Sequence, residues 1–150
     1  MIFRLAHRPD LPALLALLAD DDAVTDPATV VVGEAYERAF AEIAEDPRNE
    51  LLVLDEGDGT VLGFLQITYI PGLGRGGGER ALLEAVRVRA DRRGAGLGRE
   101  LIGEAIARAR ARGCVLVQLT SNKRRTEAHR FYASLGFERS HDGFKLTLGR

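Results

Sequence analysis

The sequence predicts an α/β fold in which a mixed β-sheet carries helices on its faces. Three observations predict it. Segments with apolar residues at helical spacing alternate with short strand-like apolar runs along the 150 residues. The turn signal EGDG (56–59) sits between two of those runs and joins them as an antiparallel hairpin. A strand–helix–strand passage between 81 and 120 supplies a crossover, and hairpins beside a crossover make the sheet mixed.

The elements follow in order. IFRLA (2–6) reads as a first strand, and DLPALLALLADD (10–21) as a helix with Leu11, Leu14, Leu15 and Leu18 on one stripe. The acidic stretch DDDAVTDP (20–27) is a loop by composition. VGEAYERAFAEIAED (32–46) is a second amphipathic helix, with Ala35, Ala39 and Ile43 in its apolar stripe. ELLVLDE (50–56) and TVLGFLQITYI (60–70) flank the hairpin turn, PGLGRGGGE (71–79) is a flexible connection, and ALLEAVRVR (81–89) is another strand. RELIGEAIARARAR (99–112) is a helix with acids early and arginines late, as its dipole favours, and Gly113 is placed to end it. VLVQLT (115–120) has the apolar character of a strand at a sheet centre. TEAHRFYASL (126–135) is a helix closed by Gly136, and FER with GFKLTL predicts a terminal strand pair.

Length fits one domain over 1–150, with enough chain to bury a core. With 45% hydrophobic and 29% charged residues the class is soluble and globular. A formal net charge of −1 argues against a nucleic-acid partner, which calls for a basic excess. No apolar run approaches the roughly 20 residues that span a bilayer, and MIFRLAHRPD has no secretory-signal pattern, so no membrane partner and a cytoplasmic location are expected. Cys114 has no second cysteine to pair with and lies in an apolar run, as an inert thiol would. His7, His129 and His141 show no ligand spacing with it or with one another, so no metal is expected.

The chemistry concentrates in RRGAGLGREL (92–101), three glycines at alternate positions opening a helix. A Walker A loop needs a lysine followed by a hydroxyl residue, which is missing here and in 72–78. The dinucleotide fingerprint fails too, because Arg99 stands where its third glycine belongs. Two readings stay open on these residues alone. One is an anion site in which backbone N–H groups at the helix N-terminus converge on a phosphate, with Arg93 and Arg99 adding charge. The other is a tight strand-to-helix turn with solvated arginines.

Arg93, Gly96 and Gly98 also realise R-x-x-G-x-G directly after a strand, and AHRFYASLGF (128–137) matches A-x-x-F-Y-x-x-x-G-F. With these two motifs and the element order, nearly the whole chain resembles the GCN5-related N-acetyltransferases (GNAT). That resemblance implies a central, mostly antiparallel sheet of six or seven strands with about four helices, and acetyl-CoA as co-substrate. It implies that the CoA pyrophosphate rests on the backbone of Arg93, Gly94, Ala95, Gly96, Leu97 and Gly98. It implies further that the strand around Val86, Arg87 and Val88 holds the pantetheine arm, one of its N–H groups facing the thioester carbonyl. Arg99 either adds contacts to the phosphates or is a solvated surface arginine.

Two catalytic residues are implied in the same way. Tyr132, at the edge of a stripe marked by Ala128, Phe131 and Leu135, would protonate the departing CoA thiolate; its plain alternative is core packing with the hydroxyl in water. Glu84 shares a strand face with Leu82, Val86 and Val88 by period two, opposite Leu83, Ala85, Arg87 and Arg89. Partly desolvated there, it would take the amine proton, directly or through water; its alternative is an ion pair with an arginine. The chain departs from the family where an asparagine is common seven residues before the tyrosine. Arg125 stands there, Asn122 is three residues earlier, and Lys123 and Arg124 complete a basic cluster.

The expected reaction is direct acetyl transfer to a primary amine in a ternary complex, without an acetyl-enzyme, since no G-x-S-x-G elbow is present. The acceptor is a small-molecule or peptide amine. Asp20, Asp21, Asp22 and Asp26 would suit a basic one, although acidic loops are commonly just solvated. A homodimer is left open, as many similar proteins pair. Two alternatives share the anion turn: a non-catalytic acyl-CoA-binding regulatory domain, and a nucleotide-binding module.

Overall fold

Apolar side chains fall on both faces of the central strands, and helices cover both faces in response. The computed structural model of the protein describes residues 1–19 and 23–149. The strands are β1 (Ile2–Leu5), β2 (Asn49–Asp55), β3 (Val61–Ile70), β4 (Arg80–Val88) and β5 (Leu116–Leu119). The helices are α1 (Leu11–Ala19), α2 (Glu34–Glu45), a single turn α3 (Gly74–Gly77), α4 (Leu97–Arg112) and α5 (Thr126–Ser134). One sheet of five strands runs in the order β1-β2-β3-β4-β5, antiparallel up to β4, with β5 parallel to β4.

The helices pack by apolar residues, but not all by the stripes expected: Leu18 of α1 and Ala35 and Ala39 of α2 are exposed, while Leu17 and Phe40 are buried. Leu14 and Leu17 of α1 meet Val53, Val61 and Phe64 on one face. Leu101, Ile102, Ala105 and Ala109 of α4 meet Leu52, Leu65, Ile67, Tyr69, Ala81 and Leu83 on the other, and α5 adds Phe131, Tyr132 and Leu135 at its margin. Gly113, at φ 89°, ends α4 in a left-handed cap, after Arg110 and Arg112 have placed positive charge on its last turn.

Two polar clusters tie elements together. Arg4 donates to Asp55 at 2.9 Å and to both oxygens of Asp10 at 2.7 and 2.9 Å, joining β1, the β2–β3 hairpin and the start of α1. Asp55 also accepts the N–H groups of Gly57 and Gly59 at 2.7 and 3.0 Å, which shapes the hairpin turn. On the α4 face Glu50 accepts from the Tyr69 hydroxyl and, at 2.9 Å, from Arg108, while the Arg112 guanidinium lies 4.1 Å from the Tyr69 ring centre.

The sheet departs from the sequence expectation at its last strands. Residues 138–149 carry no strand and are exposed throughout, so FER and GFKLTL form no pair, and among the described residues five strands stand where six or seven are expected. The alternating pattern of GFKLTL has no sheet edge against it here, and a strand pattern alone does not make a strand. Of the acidic loop, Asp20, Asp21 and Asp22 lie outside the described residues. Among the described residues no helix is long and apolar enough to cross a membrane.

Candidate functional site

One extra residue in β4 organises the site. Gln66 faces Glu84, but two positions earlier on β3 Phe64 faces Arg87, so β4 bulges between them. The bulge centres on Ala85, held at φ 54°, a left-handed conformation uncommon for a residue with a Cβ. The bulge corrects the expected faces of this strand. Val86 and Val88 join Ala81 and Leu83 on the α4 face, whereas Ala85 packs toward α1. Glu84 does not share a face with Val86 and Val88. It lies opposite Gln66, on the α1 side, and is exposed rather than desolvated.

The same bulge separates β4 from β5. Their pairing runs only from Arg80↔Leu116 to Leu83↔Leu119, so Val86, Arg87 and Val88 have no ladder partner on that side among the described residues. Two guanidiniums face this open edge: Arg87 donates to the Val86 carbonyl at 3.1 Å and Arg93 to the Val88 carbonyl at 3.3 Å. On β3, Gly63 stands where a Cβ would come within 2.7 Å of the Arg87 carbonyl oxygen, so the two strands approach closely behind the open edge. Beyond β5, Ser121 holds its hydroxyl buried with no hydrogen-bond partner among the described residues. That orphan is the residue the sequence reading missed; its only signal is its place just past β5, which is a half-buried edge strand rather than the sheet-centre strand expected.

The glycine turn follows directly. Gly94 and Gly96 adopt φ 83° and 82°, which a residue with a Cβ would reach only under strain, and Gly96 is the N-cap of α4 with no side chain capping it. Arg93, Gly94, Ala95 and Gly96 are exposed, while buried Leu97 anchors the first turn. The first N–H groups of α4 therefore have no intrahelical acceptor, with the positive end of the helix dipole behind them. Gly98 sits where α4, β4 and α5 meet, and a Cβ there would make ordinary contacts, 3.6 Å from Phe131 and 3.9 Å from Val88. Arg99 is committed to that junction: it donates to the Ser134 hydroxyl at 2.9 Å and stands 5.9 Å from the Phe131 ring centre.

Tyr132 joins this neighbourhood through α5. Its ring packs at 5.4 Å from Phe131 and edge-on at 6.0 Å from Phe137, against the cluster that holds Val86 and Val88. Burial pushes its phenol up from the ordinary tyrosine value, while the positive charges of Arg125 and Arg87 pull it partly back. Arg125 starts α5, its carbonyl accepting the His129 N–H at 3.0 Å. Asn122 spends its side-chain oxygen on the Arg124 N–H at 2.9 Å. Cys114 is half-buried, and burial with the nearby Glu79 carboxylate pushes its thiol up, which disfavours a thiolate nucleophile.

The structure thus brings together the turn 93–98, the end of β4 and Tyr132, sets Ser121 just past β5, and leaves Glu84 on the opposite side of β4. A cavity of about 580 Å³ opens on that opposite side, between the start of α1, residues 23–27 and the β2–β3 turn, with Asp10, Leu17, Thr60 and Arg89 in its wall. Asp26 borders it but uses its carboxylate on the Ala28 N–H at 3.0 Å. Among the described residues no group of histidine, cysteine and acidic side chains could hold a metal ion.

Comparison with known proteins bears on this arrangement. A sequence model of the family described as Acetyltransferase (GNAT) family matches residues 16–137. A crystal structure named as a transcriptional regulator from Bacillus halodurans C-125 is 39% identical, with a TM-score of 0.86 over 98% of this chain and 99% of that one. A candidate acetyltransferase from Agrobacterium tumefaciens str. C58 is 28% identical, with a TM-score of 0.83 over 98% and 99%. An acetyltransferase from Trypanosoma brucei is 26% identical, with a TM-score of 0.79 over the same shares. No curated protein sequence matches.

Proposed function

This chain belongs to the GNAT acetyltransferase family, and from that premise we propose that it is an acetyl-CoA-dependent N-acetyltransferase acting directly on a primary amine. The observation that carries the reading is the bulge at Ala85, which frees the edge of β4 at Val86–Val88 just ahead of the left-handed turn at Gly94 and Gly96. An extended thioester with a pyrophosphate at its far end needs those two features in series: an open strand edge, then an anion site. The orphan hydroxyl of Ser121 and the uncapped first turn of α4 fit such a molecule, because each is a polar group short of a partner.

Acetyl-CoA supplies the activated acetyl group; the residues of this chain bind, orient and move protons. N–H groups of Arg93 to Gly98 hold the pyrophosphate, and the edge of β4 holds the arm. A strand N–H in Val86–Val88 faces the carbonyl oxygen where negative charge builds. Tyr132 gives its proton to the departing sulfur, a role suited to a phenol that stays protonated above its ordinary range. Glu84, exposed on the other side of β4, takes the proton of an amine arriving from the α1 face, directly or through water. The acceptor is a small-molecule or peptide amine that enters from that side, along the cavity beside α1.

The test is an amine panel with acetyl-CoA, read by free-thiol release and by a mass gain of one acetyl group on the product. A second reading, a non-catalytic acyl-CoA-binding regulatory domain, is favoured by the name of the Bacillus relative. Thermal stabilisation by acetyl-CoA without acetyl transfer to any amine would select it. Stabilisation by ATP and not by acetyl-CoA would overturn both and leave a nucleotide-binding module.

A further inference from the structure

We propose that the acceptor carries a carboxylate several bonds from its amine, and that Arg89 anchors that carboxylate in the cavity beside α1. The proposal rests on the N-acetyltransferase reading above and names the class of acceptor: aliphatic ω-amino acids and short apolar peptides. Ala13, Ala16, Leu17, Val24 and Val61 supply an apolar surface for the aliphatic part. A volume of about 580 Å³ lies in the range of small-molecule sites.

The charged groups of the wall differ in what they have left to offer. Asp10 is spent on Arg4, which takes both its oxygens, and on the His7 N–H at 2.7 Å. Asp26 accepts the Ala28 N–H at 3.0 Å and stands exposed. Arg89 is the one cation of the wall among the described residues. Asp91, outside the wall, takes its Nε and Nη2 edge at 2.7 and 3.0 Å. The Nη1–Nη2 edge carries no bond among the described residues, and its two parallel N–H groups match a planar carboxylate. Arg4 shows the same division in this protein: Nε holds Asp55, while Nη1 and Nη2 hold the two oxygens of Asp10. Asp91 already offsets one charge at Arg89, so a singly charged carboxylate fits better than a phosphate dianion.

The bulge at Ala85 puts Arg89 where an acceptor can use it. Val86 and Val88 turn toward α4, so Arg89 falls on the α1 side, where Glu84 already stands. Without the extra residue, alternation from Glu84 would send Arg89 to the α4 face. Once the bulge has absorbed one residue, four strand rises separate the two, about 13 Å at the backbone. Their side chains close part of that distance. The remainder asks for an amine and a carboxylate several bonds apart, so a free α-amino acid is the poorer fit.

Thiol release from acetyl-CoA, measured on 6-aminohexanoate and on L-alanyl-L-leucine beside their amides, tests the class. Each acid should exceed its amide in kcat/KM by about 30-fold, the effect of one charge-assisted fork. Arg89→Gln should bring that ratio to near 1, and Arg89→Lys, which keeps the charge without the fork, should leave it in between. Should Arg89→Gln lose the circular dichroism of the folded chain, the ratio in Arg89→Lys decides. In calorimetry, which needs no turnover, the product N-acetyl-L-alanyl-L-leucine should bind Arg89→Gln about 10-fold more weakly than the unchanged chain. Amides or hexylamine used as readily as the acids, a phosphonate analogue preferred to the carboxylate, or a ratio unchanged in the variants would overturn this proposal alone. No acetyl transfer to any amine would overturn the N-acetyltransferase reading and this proposal with it.

Discussion

Tyr132 carries the sharpest expectation at the scale of single residues. Tyr132→Phe keeps the ring packing against Phe131 and Phe137 and removes only the hydroxyl, so acetyl-CoA binding should hold while turnover falls about 10²-fold. The pH dependence has a definite sign. The phenol is active when protonated and its pKa is raised, so turnover should persist through neutral pH and decline only above the ordinary tyrosine range. Thiol-release rates from pH 7 to 11 would check both, since the residual rate of the Phe variant should lack that alkaline decline. Ala85 gives a second expectation, in stability. Ala85→Val puts a β-branched residue at φ 54° and should cost about 2 kcal/mol, roughly 6 °C in melting temperature. Ala85→Gly should stay within about 0.5 kcal/mol, because strain relief offsets the freedom gained by the unfolded chain. Nothing in the run LLEAVRV marks Ala85 as a bulge. Period two therefore assigns Val86 and Val88 to the wrong face, and with them the surroundings of Glu84.

Elements depend on how side chains at their ends engage. The clasp of Arg4 with Asp10 and Asp55 joins three elements, and its charge state sets part of the acid stability. Burial pushes the Asp10 carboxyl up, but hydrogen bonds from Arg4 and the His7 N–H outweigh it and hold it below the usual carboxylate range. The Gly57 N–H and then Arg4 lower Asp55 likewise. Both folded-state values are depressed, so the clasp stabilises fully above the ordinary carboxylate range and weakens as pH falls below about 4. Urea unfolding between pH 7 and pH 3 should show that loss. Arg4→Ala, which strands two buried carboxylates, should cost about 3 kcal/mol at pH 7 and flatten the acid limb. On β3, Gly63→Ala must push the Arg87 carbonyl away and should cost about 2 kcal/mol. Because that push moves the edge at Val86–Val88, it should also raise the KM for acetyl-CoA, measured in the same thiol assay.

At the scale of the whole molecule, the helices and the first five strands were legible because each carries its own periodicity and punctuation. Gly113 ends α4 and EGDG turns the β2–β3 hairpin, as their residue types indicate. The glycine turn was legible for the same reason, its φ values near 83° at Gly94 and 82° at Gly96 being a local property. What was not legible depends on partners distant in sequence. The Ser121 hydroxyl is an orphan only once β4 and β5 diverge, and 143–148 has a strand's alternation but forms no strand. The spatial order of the sheet, β1-β2-β3-β4-β5, is also its order in sequence. A chain leaving the ribosome can thus lay down this sheet one edge at a time. Each new strand meets the one finished just before it, and no segment has to be threaded between two already in place.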